Sequence, residues 1–237
     1  MAKMLIVLTS HTTLGATGRS TGFYFEELAV PYRAFTDAGF EVDIASIDGG
    51  AAVADPSSLK VDAAERPESV RRFLADPAAA AKLSDTLPVA AATAEDYQGV
   101  FLPGGHGTMW DMPGSHPLAR IVGTLFDAGR AVGAVCHGPA GLVSARRADG
   151  RSIVAERRVN AFTDAEEAAV GMTETVPFLL ESRLRELGGR FEGGPNFEPY
   201  AVRDGNLVTG QNPASSALAA AHMIDVLREA AVAAKPA

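Results

Sequence analysis

Short, wholly apolar runs alternate with glycine-terminated amphipathic stretches along most of the chain, and that alternation restricts the folds open to it. "MLIVLTS" (4–10) is a continuous apolar run with a polar end, the pattern of a strand buried on both faces. A Gly- and Thr-rich loop follows. "FYFEELAVPYRAFTDAGF" (23–40) then reads as a helix stopped at Gly39. "EVDIAS" (41–46), "GVFLPGG" (99–105) and "RAVGAV" (130–135) predict further strands, and "LARIVGTLFDAG" (118–129) a helix closed by Gly129. A helix is expected to start in "GPAGLVSAR", behind the third of these strands. "RVNAF" (158–162) reads as a strand and "VPFLLESRLRELGG" (176–189) as a helix. "YAVRDGNLVTG" (200–210) reads as a hairpin around Asp204-Gly205, and 212–230 as the C-terminal helix. Strands alternating with helices imply βαβ units and a largely parallel sheet, hence an α/β fold.

The 237 residues suit one α/β domain spanning 1–237. Residues 51–97, rich in Ala, Asp, Pro and Ser, read as an insertion packed on the main sheet. The tail "AVAAKPA" reads as frayed.

With 21 basic against 29 acidic residues the net charge is −8, which argues against nucleic acid or an anionic membrane as a main partner. No run approaches the ~20 apolar residues of a membrane span, and the N-terminus lacks the features of a signal peptide. The single cysteine, Cys136, excludes an internal disulfide and fits a reducing, cytoplasmic setting.

That cysteine sits in "GAVCHGPAGL" (133–142), at the carboxyl end of a predicted strand. Ligands bind at such ends in open α/β sheets. A sharp strand-to-helix turn there would be a nucleophile elbow, and a helix N-terminus behind it would favour a thiolate. The pattern alone fits a small buried core residue equally well. A second glycine turn, "LPGGHGTMWDMP" (102–113), ends another strand. The N–H groups of Gly104 and Gly105 can form an oxyanion hole there, and His106 can line the same mouth. Two glutamates stand near the start of the first helix. Glu27 shares a face with Pro31, Ala34, Phe35 and Ala38, which predicts a buried carboxyl with a raised pKa. Glu26 aligns with Val30, Arg33 and Asp37, the wetter side, and reads as a dipole-stabilised acid.

Together "TGFYFEELAVPY", "EVDIAS", "LPGGHGTMWDMP", "AVCHGPAGL" and "VTGQNPASS" resemble the ThiJ/PfpI superfamily, also called class I glutamine amidotransferase-like, over nearly the whole chain. The nearer resemblance is to its branch of heat-shock chaperones and glutathione-independent glyoxalases (glyoxalase III). It implies a flavodoxin-like three-layer sandwich with Cys136 on the elbow. It implies Cys136 as nucleophile, Glu27 as the buried protonated glutamate, His137 as the adjacent histidine, and Gly105 and His137 N–H groups as the oxyanion hole. The acid that orients the histidine should lie in "NAFTDAEEAAVG" (160–171). Thr163 and Glu166 fit a capping box, which leaves Glu167 as the better candidate and Asp164 behind it. Ala161 stands where the family pattern has glycine, and is expected beside the pocket floor.

The resemblance implies conversion of methylglyoxal or glyoxal to D-lactate or glycolate through a hemithioacetal on Cys136, without metal, glutathione or other cofactor. The expected partner is a small reactive carbonyl, and the expected assembly a homodimer. Two other readings stand beside it: a holding chaperone, which needs an exposed apolar patch at a dimer surface and not Cys136, or a cysteine hydrolase acting on peptides, amides or isonitriles through the same residues.

Overall fold

The computed structural model describes residues 2–59 and 62–233. Its elements in chain order are β1 (Lys3–Leu8), α1 (Phe25–Asp37), β2 (Glu41–Ser46), α2 (Glu68–Ala75), α3 (Pro77–Ser84), β3 (Leu87–Pro88) and β4 (Tyr97–Leu102). Then come α4 (Thr108–Asp111), α5 (His116–Asp127), β5 (Ala131–Val135), β6 (Arg158–Val159), α6 (Asp164–Ala169) and α7 (Leu180–Glu186). β7 (Arg190–Phe191), β8 (Ala201–Asp204), β9 (Leu207–Gly210) and α8 (Ser216–Ala233) complete the chain.

Seven strands form one sheet in the order β3-β2-β1-β4-β5-β9-β8, parallel throughout except for the β8–β9 hairpin. The apolar run predicted at 4–10 becomes β1, an interior strand between β2 and β4, and alternation sorts its side chains. Leu5 and Val7 join the core under α5, with Leu118, Ile121, Val122 and Leu125. Met4, Ile6 and Leu8 join the opposite core under α1 and α8, with Leu28, Phe35, Ala219 and Met223. Both faces are covered, which is the three-layer flavodoxin-like α/β sandwich expected from the sequence. The glycine stops at Gly39 and Gly129 take φ of 88° and 69°, the left-handed conformation that ends a helix.

Three local expectations need correction. No helix follows Cys136: Gly138–Leu142 is a short 3₁₀ turn. Two glycines and a proline in five residues make a poor α-helix, and a Cβ on Gly138 would stand 2.0 Å from the Leu102 carbonyl oxygen. The helix expected over 176–189 begins only at Leu180, after Leu179 in extended backbone with φ of −80° and ψ of 123°. The strand expected over 158–162 pairs only at Arg158–Val159, with β7 in a separate two-stranded sheet. Beyond it the chain crosses the end of the main sheet, with the Asn160 N–H held by Thr209 Oγ1 and the Phe162 N–H by the Cys136 carbonyl.

The stretch 51–97 lays α2 and α3 against the α1 side, burying Val70, Phe73 and Ala79 in that core, and adds β3 to the sheet edge. Of the tail read as frayed, residues 234–237 lie outside the described residues.

Candidate active site

Cys136 is the first residue after β5, at the carboxyl end of the sheet, with φ of 59°. A side chain is seldom held in that region without constraint from its surroundings. Here the constraint is visible. The Cys136 N–H donates to the Gly210 carbonyl at 2.9 Å, and its own carbonyl accepts from the Phe162 N–H at 2.9 Å. Both backbone groups are therefore fixed by neighbouring segments, and the elbow carries the thiol to the floor of a cavity of about 380 Å³.

His137 follows, 1% exposed. Its Nδ1 lies 3.3 Å from the Cys136 sulfur, and its Nε2 lies 2.7 Å from Glu167 Oε2. The other oxygen of the same carboxylate, Oε1, lies 2.8 Å from His106 Nε2. Burial would raise the Glu167 pKa, but the hydrogen bonds from both imidazoles outweigh it and hold the carboxyl at about 2. An ionised carboxylate only accepts, so each imidazole presents an Nε2–H to it. The Nδ1 of His137 is then a bare acceptor facing the thiol. Burial, aided by His106, lowers the His137 pKa and keeps that ring neutral.

Glu27 is wholly buried on the first turn of α1. Its Oε2 accepts the Gly104 N–H at 2.6 Å, whereas Oε1 is buried with no hydrogen-bond partner among the described residues. Burial lifts the carboxyl to about 8, so it carries a proton at neutral pH. Its coupled neighbour is Cys136, whose own thiol is pushed up first by burial and then by Glu27. The thiolate expected from a helix dipole is therefore not the resting form. Burial outweighs what the short 3₁₀ turn offers, and the thiolate must be generated when it is needed. The His137 backbone N–H acts in the other direction and favours the anion.

The two glycines of the second turn part company. The Gly104 N–H is consumed by Glu27, so the expectation that it binds a ligand oxygen does not hold. The Gly105 N–H donates to no protein group among the described residues, and Gly105 lines the cavity. Gly105 takes φ of 100°, and a Cβ there would stand 2.3 Å from the Gly22 carbonyl oxygen. No side chain fits this approach.

Glu166 and Asp164 face elsewhere. Glu166 closes a capping box with Thr163, as the S/T-x-x-E spacing predicts, and also accepts from the Phe197 N–H, Gln211 and Asn212. Asp164 accepts from Ser182. Ala161, expected at the pocket floor, packs instead in the α5-side core, and its neighbour Phe162 lines the cavity. Sequence reasoning missed the pairing of His106 with Glu167. It also missed Tyr24, Met172 and Phe197 on the cavity wall. Tyr24, beside the quoted glutamates, was within reach of the pattern, but Phe197 lies in coil with no periodic signal.

The donor atoms of His106, His137 and Glu167 lie within 4.8 Å of one another, close enough to surround a cation. The two hydrogen bonds already occupy both Nε2 atoms and both carboxylate oxygens, and we assign no metal to them.

An ionised acid, a neutral imidazole, a cysteine on a strained elbow and a buried protonated glutamate form a nucleophilic site. Comparison with known proteins identifies the family. The DJ-1/PfpI family model matches residues 20–225, and the chain belongs to that family. The "Glutathione-independent glyoxalase HSP31" of Saccharomyces cerevisiae is 31% identical over 236 residues, covering 95% of this chain and 98% of that one. The crystal structure of the Francisella tularensis Rapid Encystment Protein (REP24) superposes with a TM-score of 0.91 at 32% identity, covering 96% of this chain and 99% of that one. Glyoxalase III from Candida albicans superposes with a TM-score of 0.86 at 26% identity, covering 95% and 97%.

Proposed function

We propose that this chain is a glutathione-independent glyoxalase that converts methylglyoxal and glyoxal to D-lactate and glycolate. The observation that carries the reading is the arrangement on either side of the thiol. On one side a neutral imidazole faces sulfur with its Nδ1, its tautomer set by an ionised carboxylate. On the other is a buried carboxyl that keeps its proton.

His137 Nδ1 takes the thiol proton as sulfur adds to the aldehyde carbon, C1. The carbonyl electron pair moves to oxygen, and the Gly105 N–H, which no protein group uses, stabilises the developing alkoxide together with the His137 N–H. Glu27 lies against the sulfur with its proton retained, so it stabilises the departing and returning thiolate without adding a charge. A proton then moves from C1 to C2 through an enediol, leaving a thioester on Cys136. Water cleaves the thioester and restores the thiol. The sequence is redox-neutral overall: C1 is oxidised and C2 reduced by the internal shift, and one water is consumed.

The test is D-lactate formation from methylglyoxal without glutathione, by the wild type and by Cys136→Ala and Glu27→Gln. Lactate from the wild type that Cys136→Ala loses supports the reading; Glu27→Gln, a neutral isostere that can still donate to sulfur, should retain part of it. No lactate from the wild type overturns it and turns attention to hydrolase substrates.

We also propose that the protein acts as a cytoplasmic homodimer, without nucleic-acid or membrane partners. The single cysteine fits the cytoplasmic setting and the net charge of −8 the lack of nucleic-acid or anionic-membrane partners, and no described helix is long and apolar enough to cross a membrane. Light scattering reading one 24.6 kDa chain would overturn the dimer.

A further inference from the structure

The reaction proposed above needs a group that removes a proton from C1 and delivers it to C2. The residues already given roles are poorly placed for it. Glu27 is wholly buried and forms no part of the cavity wall. His137 has both ring nitrogens engaged, one with Glu167 and the other facing sulfur.

The other ionisable side chains on the wall around Cys136 are Arg19, Tyr24, Asp55 and His106. An arginine is permanently charged and offers no lone pair. Burial, and then Glu27, push the Tyr24 phenol up to about 12, too weak an acid to exchange protons readily near neutrality. Asp55 is spent on structure: Oδ2 accepts from Thr21 Oγ1 at 2.8 Å, and Oδ1 from the Ser57 N–H at 2.8 Å and its hydroxyl at 2.6 Å.

His106 differs from all of these. Its ring lies 4.1 Å from that of His137, centroid to centroid, and its side chain is 22% exposed. Its Nε2–H is held by Glu167, and its Nδ1 makes no hydrogen bond among the described residues. The two imidazoles therefore share one carboxylate, each donating to it through Nε2. One presents its basic nitrogen to the thiol; the other stands on the cavity wall with its basic nitrogen unengaged.

We propose that His106 is a second acid–base group of this site, carrying the proton between C1 and C2 while His137 serves the thiol. The inference rests on the glyoxalase reading. His106 Nδ1 takes the C1 proton of the hemithioacetal; the C–H pair becomes the C1=C2 bond, and the C2 carbonyl pair moves to its oxygen, which is protonated from solvent. The enediol then takes the same proton back from Nδ1–H at C2. The C1 hydroxyl loses its proton as the C1 carbonyl re-forms, giving the lactoyl thioester. Delivery from one wall reaches one face of C2, so a single enantiomer results.

His106→Gln tests this, because its amide can still donate to Glu167 while offering no base. Three rates are read on the variant and the wild type: Cys136 alkylation by iodoacetamide, lactate formation from methylglyoxal, and formation of each lactate enantiomer. The expected result is alkylation within about twofold of wild type, with kcat lower by roughly 10²–10⁴, the usual contribution of a positioned acid–base group. The residual lactate should lose enantiomeric purity, and added imidazole should restore turnover to His106→Ala. Wild-type kcat in His106→Gln overturns the proposal. So does a fall in alkylation equal to the fall in kcat, since His106 would then act only through the Cys136–His137 pair. A wild type that makes no lactate overturns the glyoxalase reading itself, and the inference with it.

Discussion

Oε2 of Glu167 lies 2.7 Å from Nε2 of His137, and both side chains are nearly sealed from water. The contact joins residues 30 positions apart, at the start of α6 and just past the end of β5. It decides which ring nitrogen of His137 carries the proton. It therefore decides whether the nitrogen beside the sulfur can accept one.

Glu167→Gln should accordingly inactivate the enzyme without unfolding it. Glutamine has one acceptor oxygen for two imidazoles. Whichever ring meets the amide NH₂ must accept through Nε2 and move its proton to Nδ1. If that ring is His137, the thiol loses its base. If it is His106, the cavity wall loses one. Turnover should fall by roughly 10²–10⁴, the range for removal of an acid–base group, in both cases. Steady-state kinetics check the fall, and a melting temperature close to wild type would separate it from misfolding.

Glu27→Gln should change the pH dependence of stability as well as activity. The folded chain holds the Glu27 proton up to about pH 8, whereas the unfolded chain releases it near the ordinary value of 4.5. Between those values the folded state binds more protons, so stability falls as pH rises, and below 4.5 this contribution is fully present. Glutamine has no proton to lose. The decline of melting temperature between pH 5 and 8 should therefore be shallower in the variant. Equal slopes in the two proteins would mean that Glu27 is ionised in the native state.

The layout of the sheet and the candidate site were legible to different depths. Continuous apolar runs and glycine stops gave β1, β4, β5 and α5 to within a few residues, because a strand buried on both faces admits little else. The burial of Glu27 followed from helical spacing alone. The contact of Glu167 with both imidazoles did not. It depends on how the segment after β6 crosses the sheet end, and that path is set by hydrogen bonds to Thr209 and Cys136 that carry no periodic signature. The Gly104 error has a similar origin. A glycine pair after a strand indicates exposed N–H groups, but only the fold shows that Glu27 arrives to take one of them.

Glu166, beside the orienting acid, should matter for stability first. It is fully buried and accepts from the N–H and hydroxyl of Thr163, the Phe197 N–H, Gln211 Nε2 and Asn212 Nδ2. Alanine would leave the Thr163 N–H without its acceptor, whereas Gln211 Nε2 keeps the Pro195 carbonyl and Asn212 Nδ2 the Glu198 carbonyl; an unsatisfied buried group costs about 1–3 kcal/mol. A net loss near 3 kcal/mol would lower the melting temperature by about 6–12 °C in a chain of this size. Glu166→Gln keeps the shape and part of the hydrogen bonding, so its loss should be smaller. Thermal unfolding of the two variants checks the order, and equal losses would mean that the charge does the holding.

Gly104→Ala gives a test that removes no functional side chain. A Cβ at this position would stand 2.6 Å from the His137 backbone nitrogen, 2.9 Å from Glu27 Oε2 and 2.9 Å from the Val135 carbonyl oxygen. All three are buried, and two belong to the backbone of the elbow, so none can move aside cheaply. The methyl must push Glu27 off the Gly104 N–H or shift the His137 N–H away from the sulfur. Displacements of about 1 Å at a reacting centre commonly cost about 10²-fold in rate, and a loss of that order in kcat/KM is expected here. Gly114→Ala is the control, since a Cβ there meets nothing within 4 Å and its φ is not positive. If Gly104→Ala turns over as fast as Gly114→Ala, the hydrogen bond between Gly104 and Glu27 does not hold the carboxyl in its working position.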